Sequence, residues 1–183
     1  DWDNECPTAG FEDISGFATN ANLLDDQEVG VTLPFTFLYQ GILTNTMTIG
    51  DNGGVILGTT TGQVAYAMPA SGNGLFPYIQ DLYTGANAGQ NIYYGQVGNS
   101  PNAKFIVQWN NVPHYTFPAP TNGATFQLVI EEATNEIYYV YEDVDMGNAA
   151  WNNGGDAEIG LRGPHNVNVS MNNSTYLQNN TCV

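Results

Sequence analysis

The sequence predicts an all-β fold, a two-sheet antiparallel β-sandwich of jelly-roll-like form with about 11–13 strands and no significant helix. Three observations predict it. Apolar residues recur at every second position between Glu28 and Gly58. Turn signals rich in Gly, Asn and Pro follow each other at short intervals along the chain. No stretch keeps a 3.6-residue apolar period over three turns, which argues against helices.

The segment from Glu28 to Gly58 predicts the first three strands. Its alternating positions are Val31, Leu33, Phe35 and Phe37, then Leu43, Asn45, Met47 and Ile49. Gln40-Gly41 separates the first two strands, and Asp51-Asn52-Gly53-Gly54 introduces the third, Val55–Gly58. Asn-Gly is the strongest short hairpin signal because both residues tolerate a positive φ.

The remaining strands are predicted from short apolar or alternating runs between turns. These runs are Ile14–Ala18, Val64–Met68, Leu75–Leu82, Asn91–Val97, Ala103–Trp109, Ala124–Glu132, Glu136–Val144, Ala157–Leu161 and Val167–Met171. No linker or internal repeat divides them, so residues 1–183 are expected to form a single domain.

The charge of the chain is strongly one-sided. Eighteen carboxylates face two cations, Lys104 and Arg162, which gives a formal net charge of −16. Such a chain repels phosphate, so nucleic acid and anionic membrane surfaces are excluded as partners. No apolar run approaches the ~18 residues of a membrane span, so membrane insertion is not expected. Self-repulsion of this size is tolerable where salt screens it or divalent cations bind, and it is also a common way to keep a secreted protein soluble.

Two cysteines, Cys6 and Cys182, lie near opposite ends of the sequence. A disulfide between them would join the termini, as neighbouring edge strands allow, and would place the protein in an oxidising, extracellular compartment. The alternative is two unrelated buried thiols. The first residues resemble the N-terminus that remains after a signal peptide is cleaved, although an arbitrarily chosen start would look the same.

The organising segment also resembles a known family. Leu33-Pro34-Phe35-Thr36-Phe37 followed by Thr48–Gly58 is similar to a β-sandwich module of secreted bacterial proteins, often attached to extracellular peptidases and surface proteins and loosely similar to the nidogen-type extracellular domain. The similarity covers roughly residues 10–165 and continues at Asp81-Leu82, Ile92–Tyr94, Phe105–Trp109, Thr125–Gln127 and Asp156–Leu161. The resemblance implies the fold and an extracellular setting, and it implies no catalytic role. The module usually carries an aromatic residue and paired acids where this chain has Tyr78-Ile79-Gln80-Asp81, so only Asp81 remains of the acid pair.

Catalytic constellations are weak in this sequence. His114 and His165 follow prolines in loops, and Ser71 lies in a turn without the Gly-x-Ser-x-Gly elbow of hydrolases. The strand residues Glu131, Glu132 and Glu142 could serve a glycosidase if two of them faced each other across about 5 to 10 Å. The sequence therefore favours a non-catalytic protein, with glycoside hydrolysis as a remaining alternative.

Two acidic segments are candidate calcium sites. One contains Asp25, Asp26 and Glu28, and the other contains Asp143 and Asp145. Calcium takes six to eight oxygen ligands in flexible geometry, which loops rich in Asp and Asn supply. Neither segment matches an EF-hand, and no Cys/His cluster has zinc spacing. The alternative is a pair of solvated acidic loops.

Loop aromatics are the candidate ligand-binding residues. Trp151 with Asn152, and Tyr115, lie in loops, and aromatic rings beside amides can stack on sugars or fill a partner's pocket. The alternative is that these rings close the open ends of the sandwich. Asn-x-Ser/Thr sequons begin at Asn168, Asn172, Asn173 and Asn179, and Lys104 is a weak candidate for an isopeptide cross-link.

These observations predict a secreted, non-catalytic structural or adhesive domain that acts through its surface. Its expected partners are further copies of itself, the extracellular matrix or a glycan, with Ca²⁺ as a structural ion. The alternative functions are a carbohydrate-binding accessory module of a secreted hydrolase and a glycoside hydrolase.

Overall fold

Two six-stranded sheets, antiparallel throughout, make up the computed structural model, which describes residues 10–85, 88–118, 120–170 and 177–183. The predicted all-β sandwich is confirmed. The strands are β1 Thr19–Asn20, β2 Glu28–Tyr39, β3 Ile42–Gly50, β4 Gly54–Leu57, β5 Gly74–Ile79, β6 Asn91–Val97, β7 Lys104–Val112, β8 Ala124–Glu131, β9 Ile137–Asp143, β10 Glu158–Arg162, β11 Val167–Ser170 and β12 Thr181–Cys182. One 3-10 turn spans Asn152–Gly154. In the described part of the chain, no helix has the length and apolarity needed to cross a membrane.

Each sheet is built around a four-stranded meander. The first sheet has the order β11-β10-β5-β4-β3-β2, and the second has the order β1-β6-β7-β8-β9-β12. The chain runs through β2–β5 in the first sheet, crosses to make β6–β9 in the second, and returns with β10 and β11 to the edge beside β5. The short strands β1 and β12 form the two edges of the second sheet.

The main core lies between the sheets and is rich in aromatic rings. Trp109 stacks on Phe126 with 4.9 Å between ring centroids, and Tyr78 stacks on the same ring at 5.2 Å. The indole N–H of Trp109 donates to the carbonyl oxygen of Gly50 in the opposite sheet at 3.0 Å. Buried tyrosines do the same, since the Tyr141 hydroxyl donates to the Pro77 oxygen at 2.7 Å. The hydroxyl groups thus fasten one sheet to the backbone of the other.

The N-terminal segment covers the outer face of the second sheet. Ile14 packs there in an apolar cluster that includes Cys182. The buried side chain of Gln108 accepts a hydrogen bond from the Ile14 N–H at 3.0 Å, and Gln127 donates to the Glu12 carbonyl oxygen at 2.6 Å. Cys6 lies outside the described residues, so the predicted disulfide with the buried Cys182 remains a prediction.

The predicted strand Ile14–Ala18 is wrong. The N–H groups of Phe17 and Ala18 both donate to the carbonyl oxygen of Ile14, which makes a turn, and β1 begins only at Thr19.

The predicted strand Val64–Met68 is also wrong. The segment 59–73 covers the outer face of the first sheet as a loop, with Val64 packed against Phe76 and Ile79. Side-chain carboxylates hold its backbone in place of a neighbouring strand. The Val64 N–H donates to Glu28 Oε1 at 3.0 Å, and the Met68 N–H donates to Glu158 Oε2 at 2.6 Å.

Leu43 does not share the buried face that its spacing from Met47 and Ile49 predicts. Its side chain is 71% exposed, whereas its neighbour Thr44 is buried. The β2–β3 register shifts next to Leu43. Thr32 pairs with Thr46 and Phe37 pairs with Thr44, so four residues of β2 lie opposite a single residue of β3. Pro34, which has no N–H to donate, lies within that irregular segment.

Candidate binding site

An aromatic pocket of about 540 Å³ opens at one end of the sandwich. Loops after β1, β5 and β7 line it, and its lining residues are Leu24, Asp25, Tyr83, Tyr115, Thr116, Phe117 and Pro118. The β3–β4 turn and the loop 144–157 lie at the same end of the sheets. We call the seven lining residues the aromatic pocket.

Backbone pairing between two of these loops positions the rings. The Tyr83 N–H donates to the Pro113 carbonyl oxygen at 2.9 Å, and the Tyr115 N–H donates to the Asp81 carbonyl oxygen at 2.8 Å. The rings of Tyr83 and Tyr115 meet edge to face, with centroids 5.9 Å apart and planes at 83°. On the third loop, the Leu24 carbonyl oxygen accepts the N–H of Thr84 at 3.1 Å, which holds Leu24 beside Tyr83.

The mouth of the pocket exposes large apolar side chains. Phe117 is 99% exposed, Leu24 is 51% exposed and Tyr115 is 50% exposed. Contiguous exposed apolar groups of this kind mark interaction sites more often than isolated ones do. The end of the sandwich is therefore not simply closed by its aromatic residues.

One carboxylate, that of Asp25, lines the aromatic pocket, and three others interact electrostatically with it or with one another. We call Asp25, Asp26, Asp81 and Asp156 the acidic rim. Burial raises the pKa of Asp25, and the neighbouring Asp26 raises it further. Burial also raises the pKa of Asp81, the His114 imidazole opposes this, and the other three carboxylates of the rim add to it. The rim is thus a region where negative charge is crowded.

Neither of the two cations in the sequence belongs to the acidic rim. Lys104 forms an ion pair with Glu131 at 3.5 Å and donates to the Tyr138 hydroxyl at 3.1 Å. Arg162 is buried, and its Nε–H donates to the carbonyl oxygen of Pro69 at 2.6 Å. The negative charge of the rim therefore has no Lys or Arg of its own to balance it.

His114 joins the pocket to the neighbouring loop. Its ring stacks on Trp151 with centroids 4.1 Å apart and planes at 7°. Its Nδ1 lies 2.7 Å from the Tyr115 carbonyl oxygen, and because a carbonyl can only accept, Nδ1 carries the proton. Nε2 lies 3.6 Å from Asp156 Oδ2. Ser71 precedes β5 while His114 lies beyond its end, so about 20 Å of strand separates the two.

The three predicted ligand-binding residues occupy different positions in the structure. Tyr115 lines the aromatic pocket, and Trp151 lies at the same end through its stacking on His114. The oxygen of the Asn152 side chain accepts the N–H groups of Met146 and Asn148 and thereby shapes its own loop. Sequence reasoning missed Leu24 and Tyr83 as pocket residues. The sequence feature that could have indicated them is a large apolar side chain next to charged or polar residues in a loop, as in Leu24-Asp25 and Tyr83-Thr84.

The first predicted calcium segment is spread over different surroundings. Asp25 lines the aromatic pocket, and Asp26 Oδ1 accepts the side-chain N–H of Asn52 at 3.1 Å. Glu28 instead reaches the outer layer, where it accepts the Val64 N–H.

In the second calcium segment, the carboxylates serve the local backbone. Asp143 Oδ1 accepts the Asp145 N–H at 2.9 Å and the side-chain N–H of Asn179 at 3.1 Å. Asp145 Oδ1 accepts the Gly147 N–H at 2.9 Å. Across the described ranges, no group of three or more His, Cys, Asp or Glu side chains converges to hold a metal ion. Calcium binding remains a prediction.

The glutamates considered for glycoside hydrolysis do not form a pair. Glu131 accepts a hydrogen bond from the Tyr138 hydroxyl at 3.0 Å, and Glu132 accepts one from the Ser100 hydroxyl at 2.8 Å. Glu142 lies five residues beyond the start of β9, while Glu131 ends β8 at the opposite end of the same hairpin. About 17 Å of ladder separates them, which exceeds the spacing of glycosidase acids.

A buried carboxyl that the sequence did not suggest lies at the same end. Asp51 is 0% exposed; its Oδ1 accepts the Gln27 N–H at 3.1 Å, and its Oδ2 has no protein partner among the described residues. The loss of solvent on burial raises the pKa of Asp51 to about 7. The side-chain amide of Gln80 is also buried without a partner in the described part of the chain.

Comparison with protein families gives one finding. The family model described as NIDO related matches residues 6–182, so the chain belongs to the NIDO-related family. This agrees with the loosely nidogen-like resemblance of its sequence, and domains of this family are typical of extracellular proteins and are non-enzymatic modules. Comparison with curated proteins and comparison with solved structures return no match.

Proposed function

We propose that this member of the NIDO-related family is a secreted, non-catalytic structural or adhesive domain that meets its partner with the aromatic pocket. The observation that carries the proposal is Phe117, which is 99% exposed at the mouth of a cavity of about 540 Å³. A phenylalanine side chain that remains in water forgoes about 2 kcal/mol or more of burial free energy, which contact with a partner would recover.

The composition of the pocket fits this role. Aromatic side chains are the commonest hot spots of interfaces, because they bury a large area at little cost in conformational entropy. Tyr83 and Tyr115 are held by backbone pairing of their loops, so their rings are already placed before a partner arrives. A preformed surface loses less entropy on binding than a flexible one.

Carbohydrate binding is the second candidate function. The half-exposed ring of Tyr115 beside the carboxylate of Asp25 could stack on a sugar and accept its hydroxyl protons. This candidate predicts binding of a neutral glycan at the same end of the sandwich.

Self-association through this end is less favoured unless cations take part. Two copies would bring two acidic rims together, and each chain carries a net charge of −16. Like charges that meet at an interface oppose association, although salt or a bridging dication reduces the repulsion. A calcium-dependent assembly would therefore support both the structural role and the charge argument, and calcium-independent assembly at this end would contradict the charge argument.

The test compares Phe117→Ser with Tyr66→Ser. Tyr66 is 59% exposed and lies in the outer loop 59–73, away from the pocket, so the pair matches two exposed aromatic residues. Both variants should keep the melting temperature of the parent. Binding is measured against purified matrix proteins and a glycan array, and self-association by sedimentation with and without calcium.

We expect Phe117→Ser to weaken binding or assembly at least tenfold and Tyr66→Ser to leave it unchanged. Equal behaviour of the two variants in every format would refute the pocket as the contact surface. Turnover of a glycoside or peptide substrate by the purified domain would refute the non-catalytic role.

A further inference from the structure

We propose that the aromatic pocket receives the cationic side chain of an arginine or lysine in a peptide segment of a partner protein. This inference rests on the proposed function and adds the chemistry of the partner. The ligand is defined by three properties of the pocket, which are its aromatic faces, its uncompensated charge and its size.

The ring arrangement suits a guanidinium or an alkylammonium group. Tyr83 and Tyr115 stand at 83° to each other, so they form a corner with two aromatic surfaces, and the Phe117 ring is near the same mouth. A cation over an aromatic face is attracted by the ring quadrupole. Leu24 and Pro118 supply apolar surface for the methylene groups that carry such a cation.

Charge complementarity selects a cation over a neutral or anionic group. Asp25 lines the pocket, and Asp26, Asp81 and Asp156 are near enough to act on one another. Lys104 and Arg162 are engaged elsewhere, and among the described residues His114 is the basic side chain that contacts the rim, through Asp156. A ligand cation would relieve repulsion that the protein itself leaves uncompensated.

A hard dication matches the pocket less well. Calcium needs six to eight oxygen ligands at about 2.3–2.6 Å, and no three acidic or histidine side chains of the described residues converge to that extent. A calcium ion would also make no use of the aromatic faces. An organic cation uses both the faces and the carboxylates.

The size of the pocket points to a peptide segment. About 540 Å³ lies within the range of roughly 300–1,000 Å³ that is typical of ligand sites, and it exceeds the room that one ammonium head would fill. The remaining room accommodates the residues that flank the cation. The crowded carboxylates at this end of the sandwich also attract a basic segment by long-range steering.

The test is a titration followed by amide NMR shifts, with a short acetylated and amidated peptide, Gly-Arg-Gly, as the probe. The same peptide with citrulline in place of arginine is the neutral isostere. Tetramethylammonium and calcium chloride are titrated separately. The protein variants are Asp25→Asn, Tyr115→Ala and, as the matched control for charge, Glu142→Gln at an exposed position of β9.

We expect the arginine peptide to shift amides of residues 24–25, 83 and 115–117 saturably, and the citrulline peptide to bind at least tenfold more weakly. Asp25→Asn and Tyr115→Ala should each weaken the arginine peptide about fivefold to tenfold, while Glu142→Gln should not. Equal binding of arginine and citrulline peptides would overturn the inference. If tetramethylammonium bound more tightly than the peptide, the proposal that the cation belongs to a peptide segment would be wrong. If calcium shifted the same amides at lower concentration, the site would be assigned to a metal ion.

The failure of this inference is distinguishable from the failure of the proposed function. If a matrix protein or neutral glycan binds and depends on Phe117 while the arginine peptide does not bind, the cation is wrong and the contact surface stands. If no ligand of any class depends on Phe117, both proposals fail.

Discussion

Replacing Asp51 with asparagine should flatten the pH dependence of stability between about pH 4 and pH 8. Asp51 is 0% exposed, and burial raises the pKa of its carboxyl to about 7. The nearby Asp26 carboxylate raises this pKa further, whereas backbone N–H groups that donate to Asp51 oppose the shift. Asparagine keeps the shape of the side chain and removes the titration.

The sign follows from the two pKa values of this carboxyl. In the unfolded chain an aspartate titrates near 3.9, so between about pH 4 and pH 7 only the native state holds the proton. The free energy of unfolding therefore falls as the pH rises through this window. A pKa near 7 in the native state corresponds to about 4 kcal/mol at most, at roughly 1.4 kcal/mol for each unit of difference.

The assay is urea unfolding of the parent protein, Asp51→Asn and Glu142→Gln from pH 4.5 to pH 8.5 at constant salt. Asparagine adds an N–H group without an evident partner, which costs about 1–3 kcal/mol at every pH. The slope, and not the offset, is therefore the measurement. Relative to the parent, Asp51→Asn should gain stability steadily as the pH rises towards 7, by between about 1 and 4 kcal/mol in total.

Glu142→Gln controls for the loss of one negative charge from a chain with a net charge of −16. Glu142 is exposed, so its curve should follow that of the parent with little change of slope. Parallel curves for the parent and Asp51→Asn over the entire range would refute the argument from burial, since they would mean that the native and unfolded states release this proton at the same pH.

Three further predictions concern a turn, the termini and calcium. Gly53→Ala should destabilise the protein by about 1–3 kcal/mol in urea unfolding, because its φ is +83° and an added Cβ would overlap the carbonyl oxygen of Tyr78. Gly41→Ala is the control, since Gly41 has a similar φ of +88° but open space around it, so this variant measures the backbone strain without the clash. Cys6 and Cys182 should resist alkylation before reduction in a mass measurement, and reduction should cost about 2–5 kcal/mol, whereas two freely alkylated thiols would disprove the disulfide. Millimolar calcium should raise the melting temperature and a chelator should reverse the rise, while an unchanged value would mean that the acidic loops bind no calcium.

Most of the strands could be predicted because a half-buried strand leaves a two-residue pattern that depends on nothing distant. Val31, Leu33, Phe35 and Phe37 alternate in the sequence and all point into the core. The error at Val64–Met68 occurs where side chains replace the sheet ladder. The loop around Val64 has the composition of a strand, but carboxylates from remote positions accept its N–H groups, and no local pattern encodes that.

The tyrosines illustrate a second limit. From composition alone, eleven tyrosines are more than one core is expected to need, which predicts an aromatic surface. Tyr39, Tyr78, Tyr139 and Tyr141 are in fact buried, with hydroxyl groups that donate to atoms of the protein interior. Composition cannot separate a tyrosine with a buried partner from one that faces solvent, because the partner is a backbone carbonyl far away in sequence.

The binding site was predictable only in part, for a reason that concerns distance along the chain. Tyr115 and Asp25 were both singled out from the sequence, one as a ligand-binding residue and the other as a metal ligand. Ninety positions separate them, and they meet because the Thr84 N–H holds the loop at Leu24 while the adjoining Tyr83 N–H donates to the Pro113 carbonyl oxygen. Aromatic residue and carboxylate thus belong to one site, and the sequence assigned them to two.

The same convergence gives the net charge a local meaning. Spread evenly over the surface, the excess of carboxylates would serve solubility alone. The structure instead brings Asp25, Asp26, Asp81 and Asp156 within electrostatic reach of one another, places Asp25 in the aromatic pocket, and uses Lys104 and Arg162 elsewhere. A surface that only needed to remain soluble would not require a carboxylate beside a phenylalanine that is 99% exposed. Because a bound cation would satisfy both features together, the charge argues for a binding role at this end of the sandwich.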